Sequence, residues 1–278
     1  MPNHVEGRVV VVTGAAGGFG RLVAQKTAAR GARVVAADVD AKGLGETTAS
    51  IEDARGTAEG LVTDVTDLVA MRALASRAVD RFGALDVMVN NAGIMPLAFF
   101  ADHEQAAEAW DRCIDVNLKG VLHGIMVAWD PMIQQGRGHV VNVSSIYGNH
   151  PVAGAAVYGA TKAAVCFLSD ALRQESQGRI KVTTIKPSGV PGTGLGAGVI
   201  NGEALVGALG TKMGEYIEKM TAVLGEHPPE HLASPESIGY ACLSPEILAD
   251  QIVYAIDQPW GVSIGDLTVR ASGDDFLV

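Results

Sequence analysis

Seven short apolar runs recur along the chain, and segments with helical spacing lie between them. The runs cover residues 8–13, 33–37, 60–64, 85–90, 139–144, 181–186 and 263–269. Most of them are continuous rather than alternating in polarity, which is typical of strands that are covered on both faces. Strands alternating with helices predict an α/β fold with a doubly wound parallel sheet of seven strands and helices on both faces. The sequence shows no repeat and no linker, so we expect residues 1–278 to form a single domain.

The segment before Gly83 illustrates the helical spacing. Its apolar residues fall on or near one stripe, and Gly83 follows as a helix stop. These residues are Val69, Leu74, Ala78 and Phe82. We therefore expect a helix over residues 67–83.

One long segment, residues 188–232, departs from the alternation of strands and helices. It begins with closely spaced glycines, which predict mobility, and continues with a helical stripe around residues 212–224. A long insertion after the C-terminal end of a strand is where α/β folds place segments that cover a ligand. We predict that residues 188–232 form a lid over the substrate, and the alternative is a surface excursion without function.

The stretch VVVVTGAAGGFGRLVA is a strand, a glycine turn and the start of a helix. Gly14, Gly18 and Gly20 allow a tight turn, in which Phe19 also lies, and bring backbone N–H groups close to a pyrophosphate. The N-terminus of the helix adds partial positive charge at the same place. Because a strand precedes the turn and a helix follows it, the pattern predicts a dinucleotide site.

Asp38 and Val39 stand at the end of the second strand. A carboxylate at this position can accept both ribose hydroxyls of NAD, and it repels the 2′-phosphate of NADP. No Arg or Lys follows immediately, and Lys42 is the nearest cation along the chain. The sequence therefore favours NAD over NADP as the cofactor.

Composition and charge exclude several classes of partner. The net charge is −10, from 21 Lys and Arg against 31 Asp and Glu, and an acidic chain repels a phosphate backbone, so we expect no nucleic acid. Apolar runs break before about 18 residues, which predicts no membrane span. The first residues lack a signal-peptide pattern, and three widely spaced cysteines suit a reducing compartment, so we expect a cytoplasmic protein.

Several further short motifs follow the glycine turn along the chain. They are DV (Asp64 and Val65), NNAG (90–93, with Asn91, Ala92 and Gly93), VNVSS (141–145), YGATK (158–162) and Asn117 in DVNLKG. With TGAAGGFG they resemble the short-chain dehydrogenase/reductase (SDR) family, of the shorter, non-extended type, over nearly the whole chain. The turn alone also matches the extended, epimerase-like branch, through Gly14, Gly17 and Gly20. The resemblance implies a Rossmann fold, with the adenine against Asp64 and Val65. It also implies further cofactor contacts by the glycine turn, by Asn91, Ala92 and Gly93, and by Tyr158 and Lys162.

The resemblance also implies four catalytic residues. Tyr158 would exchange a proton with the substrate oxygen, and Ser145 would hydrogen-bond that oxygen. Lys162 would hold the nicotinamide ribose, and Asn117 would hold a water that links Lys162 to solvent. Since positions i and i+4 share one face of a helix, we also expect the ammonium of Lys162 to lower the pKa of Tyr158.

The segment PSGVPGT follows the sixth strand, where the family reads P-G-x-[VI]-x-T. The resemblance carries cofactor contacts onto Pro187, Gly189 and Val190, with Val190 near the carboxamide. Thr193 comes one position late, so its pyrophosphate contact is not carried over. Met95, Ser145 and His150 are the candidate substrate contacts, with core packing for Met95 and a turn cap for His150 as the alternatives.

Metal binding is not expected, although His227 and His231 have a metal-like spacing. The two prolines between them oppose a helix that would align the rings, and no further ligand is evident nearby. Residues 118–135 and 157–176 are apolar over much of their length and must be covered. In relatives these helices pack against a second subunit, so we expect a homodimer or homotetramer.

The sequence thus predicts an NAD-dependent oxidoreductase that moves a hydride between nicotinamide and a secondary alcohol or ketone. The apolar lid favours a hydrophobic substrate, such as a terpenoid, steroid, cyclic or aryl alcohol. Two alternatives stay open. They are an NAD-using epimerase or dehydratase and a non-catalytic NAD-sensing protein on the same fold.

Overall fold

The computed structural model describes residues 3–277, so Met1, Pro2 and Val278 lie outside the described residues. Seven parallel strands form one sheet in the order β3-β2-β1-β4-β5-β6-β7. They are β1 (Val9–Thr13), β2 (Arg33–Asp38), β3 (Thr57–Val62), β4 (Val87–Asn90), β5 (Gly138–Val143), β6 (Ile180–Pro187) and β7 (Asp266–Val269). The prediction of a doubly wound parallel sheet is confirmed. The order reverses between β1 and β4, where ligands of such sheets bind.

Ten helices of the described residues surround the sheet. They are α1 (Gly18–Ala29), α2 (Ala41–Asp53), α3 (Leu68–Phe82), α4 (His103–Ile114), α5 (Gly120–Gln134), α6 (Ala156–Glu175), α7 (Val206–Leu209), α8 (Met213–Val223), α9 (Glu230–Ala233) and α10 (Pro245–Ile256). A short π-helix, Asp115–Lys119, joins α4 to α5. None of these helices is long and apolar enough to cross a membrane. The cytoplasmic location and the single domain over residues 1–278 stay predictions.

Two apolar cores lie on the two faces of the sheet. On β1, Val10 and Val12 belong to the core under α1 and α10, whereas Val9 and Val11 belong to the core under α3 and α5. All five residues of β1 and all six of β5 are buried. Because both faces are covered, the central strands read as continuous apolar runs.

Strand β3 differs from its predicted position, since it spans Thr57–Val62 rather than residues 60–64. It lies at the edge of the sheet, and Thr57, Gly60 and Val62 are exposed. An edge strand needs little apolar sequence, so its polar first half escaped detection. On α3, Val69 is also exposed, and Met71 and Ala75 are buried with Leu74 and Ala78 instead.

The predicted lid, residues 188–232, contains short 3₁₀ turns followed by α7, α8 and α9. The predicted helix near residues 212–224 corresponds to α8. Ala204 and Ala208 are fully buried in a third apolar cluster, which also contains Leu97, Ile146 and Tyr158. The segment therefore packs over the end of the fold where the Tyr158 side chain lies.

Candidate active site

A cavity of about 370 Å³ lies at the C-terminal ends of the strands, beside the reversal between β1 and β4. Eleven of the predicted cofactor residues line it, and they are Gly14, Gly18, Phe19, Gly20, Asp38, Val39, Asp64, Val65, Asn91, Ala92 and Gly93. Gly17, Thr63, Arg112 and Thr193 line it too, although the sequence did not single them out as cofactor contacts. The glycine turn, the end of β2 and the NNAG motif thus share one cavity.

The glycine turn is shaped by close backbone contacts. Gly14 has a φ of +68° and Gly18 a φ of +52°, a region that favours glycine. A Cβ on Gly20 would lie 2.2 Å from the carbonyl oxygen of Gly14. The Asn91 side-chain amide donates to the carbonyls of Thr13 (2.8 Å) and Gly14 (3.1 Å), which ties the end of β4 to the turn. The turn therefore has no room for larger residues at Gly14 or Gly20.

The start of α1 fits an anionic group such as a pyrophosphate. Gly17 is the N-cap and carries no side chain that could cap the first N–H groups. Thr193 lies against the same turn, because a Cβ on Gly18 would stand 3.6 Å from the Thr193 Cβ. The shift of one position in PSGVPGT therefore still brings this threonine to the glycine turn. Helix N-termini with free N–H groups are common phosphate sites.

Asp38, the last residue of β2, lines the cavity and is held in place by hydrogen bonds. Its carboxylate accepts hydrogen bonds from the N–H groups of Ala16 (2.9 Å) and Asp40 (3.0 Å). The guanidinium of Arg21 donates to the carbonyl of Ala16 and pairs with Glu46 at 3.0 Å. Neither Arg21 nor Lys42 lines the cavity, so the end of β2 presents a carboxylate there.

Asp64 is fixed by its neighbours in a similar way. Burial alone would raise the pKa of the Asp64 carboxyl, but hydrogen bonds from Thr66 and the nearby Arg112 lower it below its ordinary value. The Thr66 N–H and hydroxyl donate at 2.9 and 2.8 Å, and Arg112 donates at 3.3 Å. This carboxylate is ionised at neutral pH and is preorganised at the cavity wall.

The four predicted catalytic residues come from three parts of the fold. Ser145 follows β5, Tyr158 and Lys162 stand in α6, and Asn117 stands in the π-helix. All four are buried. A Cβ on Gly93 would lie 3.3 Å from Asn117 Oδ1 and 3.5 Å from Lys162 Nζ. The cavity wall at Gly93 therefore borders this group.

Lys162 is oriented by main-chain groups. Its ammonium donates to the carbonyl of Val143 at 2.9 Å and lies 5.7 Å from the centre of the Tyr158 ring. Its own carbonyl accepts a hydrogen bond from Ser144 at 2.8 Å. Burial lowers the pKa of Lys162 to about 8. The lysine is held beside Tyr158, and its charge is costly in this position.

The chain's own groups do not produce the predicted lowering of the Tyr158 pKa. Burial raises the pKa of Tyr158 to about 12, and the hydrogen bond with Ser145 offsets this only in part. The residue is 3% exposed, so desolvation of the phenolate is the largest cause of the shift, and Ser145 is the group that opposes it. The predicted lowering of the Tyr158 pKa was therefore wrong, because charge and spacing along a helix do not show how deeply the phenol is buried.

Asn117 makes its two shortest hydrogen bonds with the main chain. Its Oδ1 accepts from the N–H of Ile94, and its Nδ2 donates to the carbonyl of Ile94, both at 2.9 Å. Nδ2 also lies 3.3 Å from Thr161 Oγ1. The Asn117 side chain thus fixes the loop after NNAG against α6, and its role in holding a water stays a prediction.

The remaining predicted contacts are spread more widely. Val190 packs against two apolar clusters, and Gly189, which follows Pro187 and Ser188, faces the ring of Phe276. Met95 packs beside the cluster that contains Tyr158, whereas His150 is exposed. Tyr147 rather than His150 lies edge-on to Tyr158, with ring centres 5.7 Å apart. Among residues 3–277, no group of three or more His, Cys, Asp or Glu side chains could hold a metal.

The fold and site define a class of protein, which is a Rossmann-type oxidoreductase that uses a nicotinamide cofactor. The chain belongs to the short chain dehydrogenase family, whose model matches residues 8–203. The resemblance seen in the sequence is therefore confirmed.

Named relatives agree with this assignment. An uncharacterized oxidoreductase of Listeria monocytogenes is 32% identical over 268 residues, which are 95% of this chain and 96% of the relative. The 2,5-dichloro-2,5-cyclohexadiene-1,4-diol dehydrogenase LinX of Sphingobium indicum is 36% identical over 68% of this chain and 76% of its own length. The closed form of a serine dehydrogenase complexed with NADP+ superposes with a TM-score of 0.76 at 26% identity, covering 94% of each chain.

The buried charge of Lys162 leads to a prediction on stability. Replacing Lys162 with Met should stabilise the folded chain most at pH 7, and this gain should shrink as the pH rises towards 10. Below the folded pKa of about 8, both states of wild type are protonated and the folded state bears the full cost of the buried charge. Between that value and 10.5, the unfolded state binds more protons, so wild-type stability rises with pH.

The pH-dependent part of the increase in the free energy of unfolding caused by Lys162→Met should be on the order of 3 kcal/mol. Urea unfolding of wild type and Lys162→Met at pH 7 and pH 10 measures it. Lys119→Met is the matched control, because Lys119 is exposed and pairs with Asp115 on the surface. A difference between wild type and Lys162→Met that stays constant over this pH range would contradict the argument.

Proposed function

We propose that this chain is an NAD-dependent dehydrogenase of secondary alcohols, which also reduces the corresponding ketones. The observation that carries the proposal is the grouping of Lys162, Tyr158 and Ser145 beside the cavity. A Cβ on Gly93, which lines the cavity, would lie 3.5 Å from Lys162 Nζ, and Lys162 lies 5.7 Å from the centre of the Tyr158 ring. Tyr158 in turn shares a hydrogen bond with Ser145. When bound, a nicotinamide cofactor supplies the acceptor or donor of the hydride. The glycine turn and the start of α1 would hold its pyrophosphate, and Asp38 its adenosine ribose.

Proton transfer is assigned to Tyr158. The phenol gives its proton to a ketone oxygen during reduction and becomes the phenolate. During oxidation the phenolate takes the hydroxyl proton of the alcohol and becomes the phenol again. The raised pKa keeps the phenol protonated at neutral pH, which suits the donor role. Ser145 shares a hydrogen bond with this phenol and stabilises the developing charge on the substrate oxygen.

An apolar cyclic alcohol is the substrate class that these surroundings support. Leu97, Ile146 and Val152 are buried in the cluster that contains Tyr158, and Met95 packs against it. LinX, whose name describes a dehydrogenase of a chlorinated cyclic diol, gives independent support from a relative. Turnover of a panel of cyclic and aryl alcohols, followed by NADH absorbance, tests the proposal. No turnover of any alcohol or ketone with NAD or NADP would contradict it.

The preference for NAD rests on the carboxylate of Asp38. Asp38→Asn should bind NADP at least about tenfold more tightly than wild type, since the repulsion of the 2′-phosphate is removed. Binding constants from calorimetry, measured for NAD and NADP, give the result. Asp40→Asn is the matched control, because Asp40 carries the same charge but caps α2 through Lys42 and Gly43. Tighter wild-type binding of NADP than of NAD would contradict the preference.

We also propose a homodimer or homotetramer formed through α5 and α6. Their outer faces carry Leu122, Met126 and Phe167, of which Phe167 is 78% exposed. Contiguous apolar patches on a protein surface commonly mark an interface with a partner. A monomer in sedimentation at micromolar concentration would contradict this proposal.

A further inference from the structure

The C-terminal segment, which we define as residues 270–277, folds back over the region of Tyr158. After β7, Gly273 donates its N–H to the carbonyl of Tyr240 at 2.8 Å. Leu277 donates its N–H to the carbonyl of Ala208 at 2.9 Å, so the segment ends against α7. Arg270 pairs with Asp274 at 2.6 Å and also donates to the carbonyl of Phe276. The segment is therefore held at both ends.

A partly buried ion pair joins this segment to the lid. Lys219 of α8 lies 2.7 Å from Asp275, whose side chain is only 4% exposed. Lys219 also donates to the carbonyl of Gly273 at 3.3 Å. Because a buried carboxylate without a partner is costly, this contact fixes the position of Phe276, which follows Asp275.

The ring of Phe276 belongs to a row of aromatic side chains that begins at Tyr158 and ends at Tyr216. The ring centres of Tyr158 and Tyr147 are 5.7 Å apart, and those of Tyr147 and Phe276 are 6.4 Å apart. Tyr216 of α8 lies edge-on to Phe276 from the other side, at 5.7 Å. A Cβ on Gly189 would stand 2.6 Å from the Phe276 ring, so the loop after β6 makes room for this ring. Phe276 thus contacts Tyr147, the loop after β6 and the lid, and it packs against the apolar cluster that contains Tyr158.

We propose that Phe276 limits the size of the alcohol that can reach Tyr158. The inference rests on the proposed function and adds a specificity-determining residue to it. Tyr158 is 3% exposed, so a substrate reaches its hydroxyl only within the space that the surrounding side chains leave. Phe276 is the half-buried aromatic side chain that the C-terminal segment adds to the apolar cluster around Tyr158. Phe276→Ala removes an aromatic ring from this cluster and should therefore let bulkier cyclic alcohols reach Tyr158.

The test compares cyclohexanol with 4-tert-butylcyclohexanol as substrates for the full chain. Phe276→Ala should raise the ratio of kcat/KM for the bulky alcohol to that for the small alcohol by about tenfold or more. Leu277→Ala is the matched control, since Leu277 is 61% exposed and its anchoring bond uses the main chain. Its ratio should equal that of wild type. An unchanged ratio in Phe276→Ala would overturn the proposal.

Two further measurements separate the possible failures. Phe276→Leu keeps an apolar side chain and should give an intermediate ratio, so it serves if the alanine variant does not fold. If wild type oxidises neither alcohol, size selection is measured by binding. Whether the proposed function itself fails is then decided separately, by the full panel of alcohols and ketones. In that case, 4-tert-butylcyclohexanone should raise the Tm of Phe276→Ala more than that of wild type, and equal shifts would overturn the proposal for Phe276.

Discussion

Tyr158→Phe should lower kcat for alcohol oxidation by about 10²–10⁴-fold, the usual contribution of a positioned acid/base group. The substitution removes one oxygen and leaves a ring that fills the same buried space next to Tyr147. The stability of the chain and the affinity for NAD should therefore change little. NADH absorbance at saturating alcohol gives kcat, and calorimetry gives the affinity for NAD.

Tyr254→Phe is the matched control for this loss, because Tyr254 is 54% exposed on α10 and should keep full activity. Tyr147→Phe provides a second comparison, since Tyr147 is the tyrosine that lies edge-on to Tyr158. If Tyr147→Phe abolished turnover while Tyr158→Phe did not, the acid/base role would belong to Tyr147 and our assignment would be wrong.

Gly20→Ala should destabilise the folded chain by about 3 kcal/mol, a cost typical of overpacking at a rigid contact. The added methyl would stand 2.2 Å from the Gly14 carbonyl oxygen and 2.4 Å from Asn91 Nδ2. To relieve these two short contacts, the glycine turn would have to move away from β4. That movement would also disturb the cofactor cavity. The Tm should fall by roughly 10 °C, and the affinity for NAD should fall as well.

Gly17→Ala is the control for this prediction. Gly17 belongs to the same turn, but a Cβ there meets no atom within 4 Å, and its φ of −165° is accessible to any residue. The Tm of Gly17→Ala should stay near that of wild type. Equal losses of Tm in both variants would show that turn flexibility, and not the contact with Gly14, requires glycine here.

Much of the fold could be predicted from local sequence patterns, without knowledge of tertiary contacts. β1 and β5 are buried on both faces, so their apolar runs were unambiguous in the sequence. β3 was placed too late because an edge strand is exposed, and its polar residues carry no hydrophobic signal. Val69 on α3 was assigned to the apolar stripe but is 71% exposed, since the buried face centres on Met71 and Leu74.

The candidate site was predictable where its residues stand in motifs of fixed spacing. The glycine turn, Asp38 and NNAG come together because they follow neighbouring parallel strands, whose C-terminal ends meet at one edge of the sheet. Phe276 has no such signal, because it reaches Tyr147 from the far end of the chain. The raised pKa of Tyr158 was missed for a related reason, since burial is a property of the assembled fold.

Helix α6 carries Tyr158 and Lys162 on its inner side and the exposed Phe167 on its outer side. A helix moves largely as a rigid rod, so a restraint on one side is transmitted to the other. A subunit that docks against Phe167 would therefore also reduce the thermal motion of the Tyr158 phenol and the Lys162 ammonium. In the proposed oligomer, self-association and the positions of the proposed catalytic groups would therefore be linked through one helix.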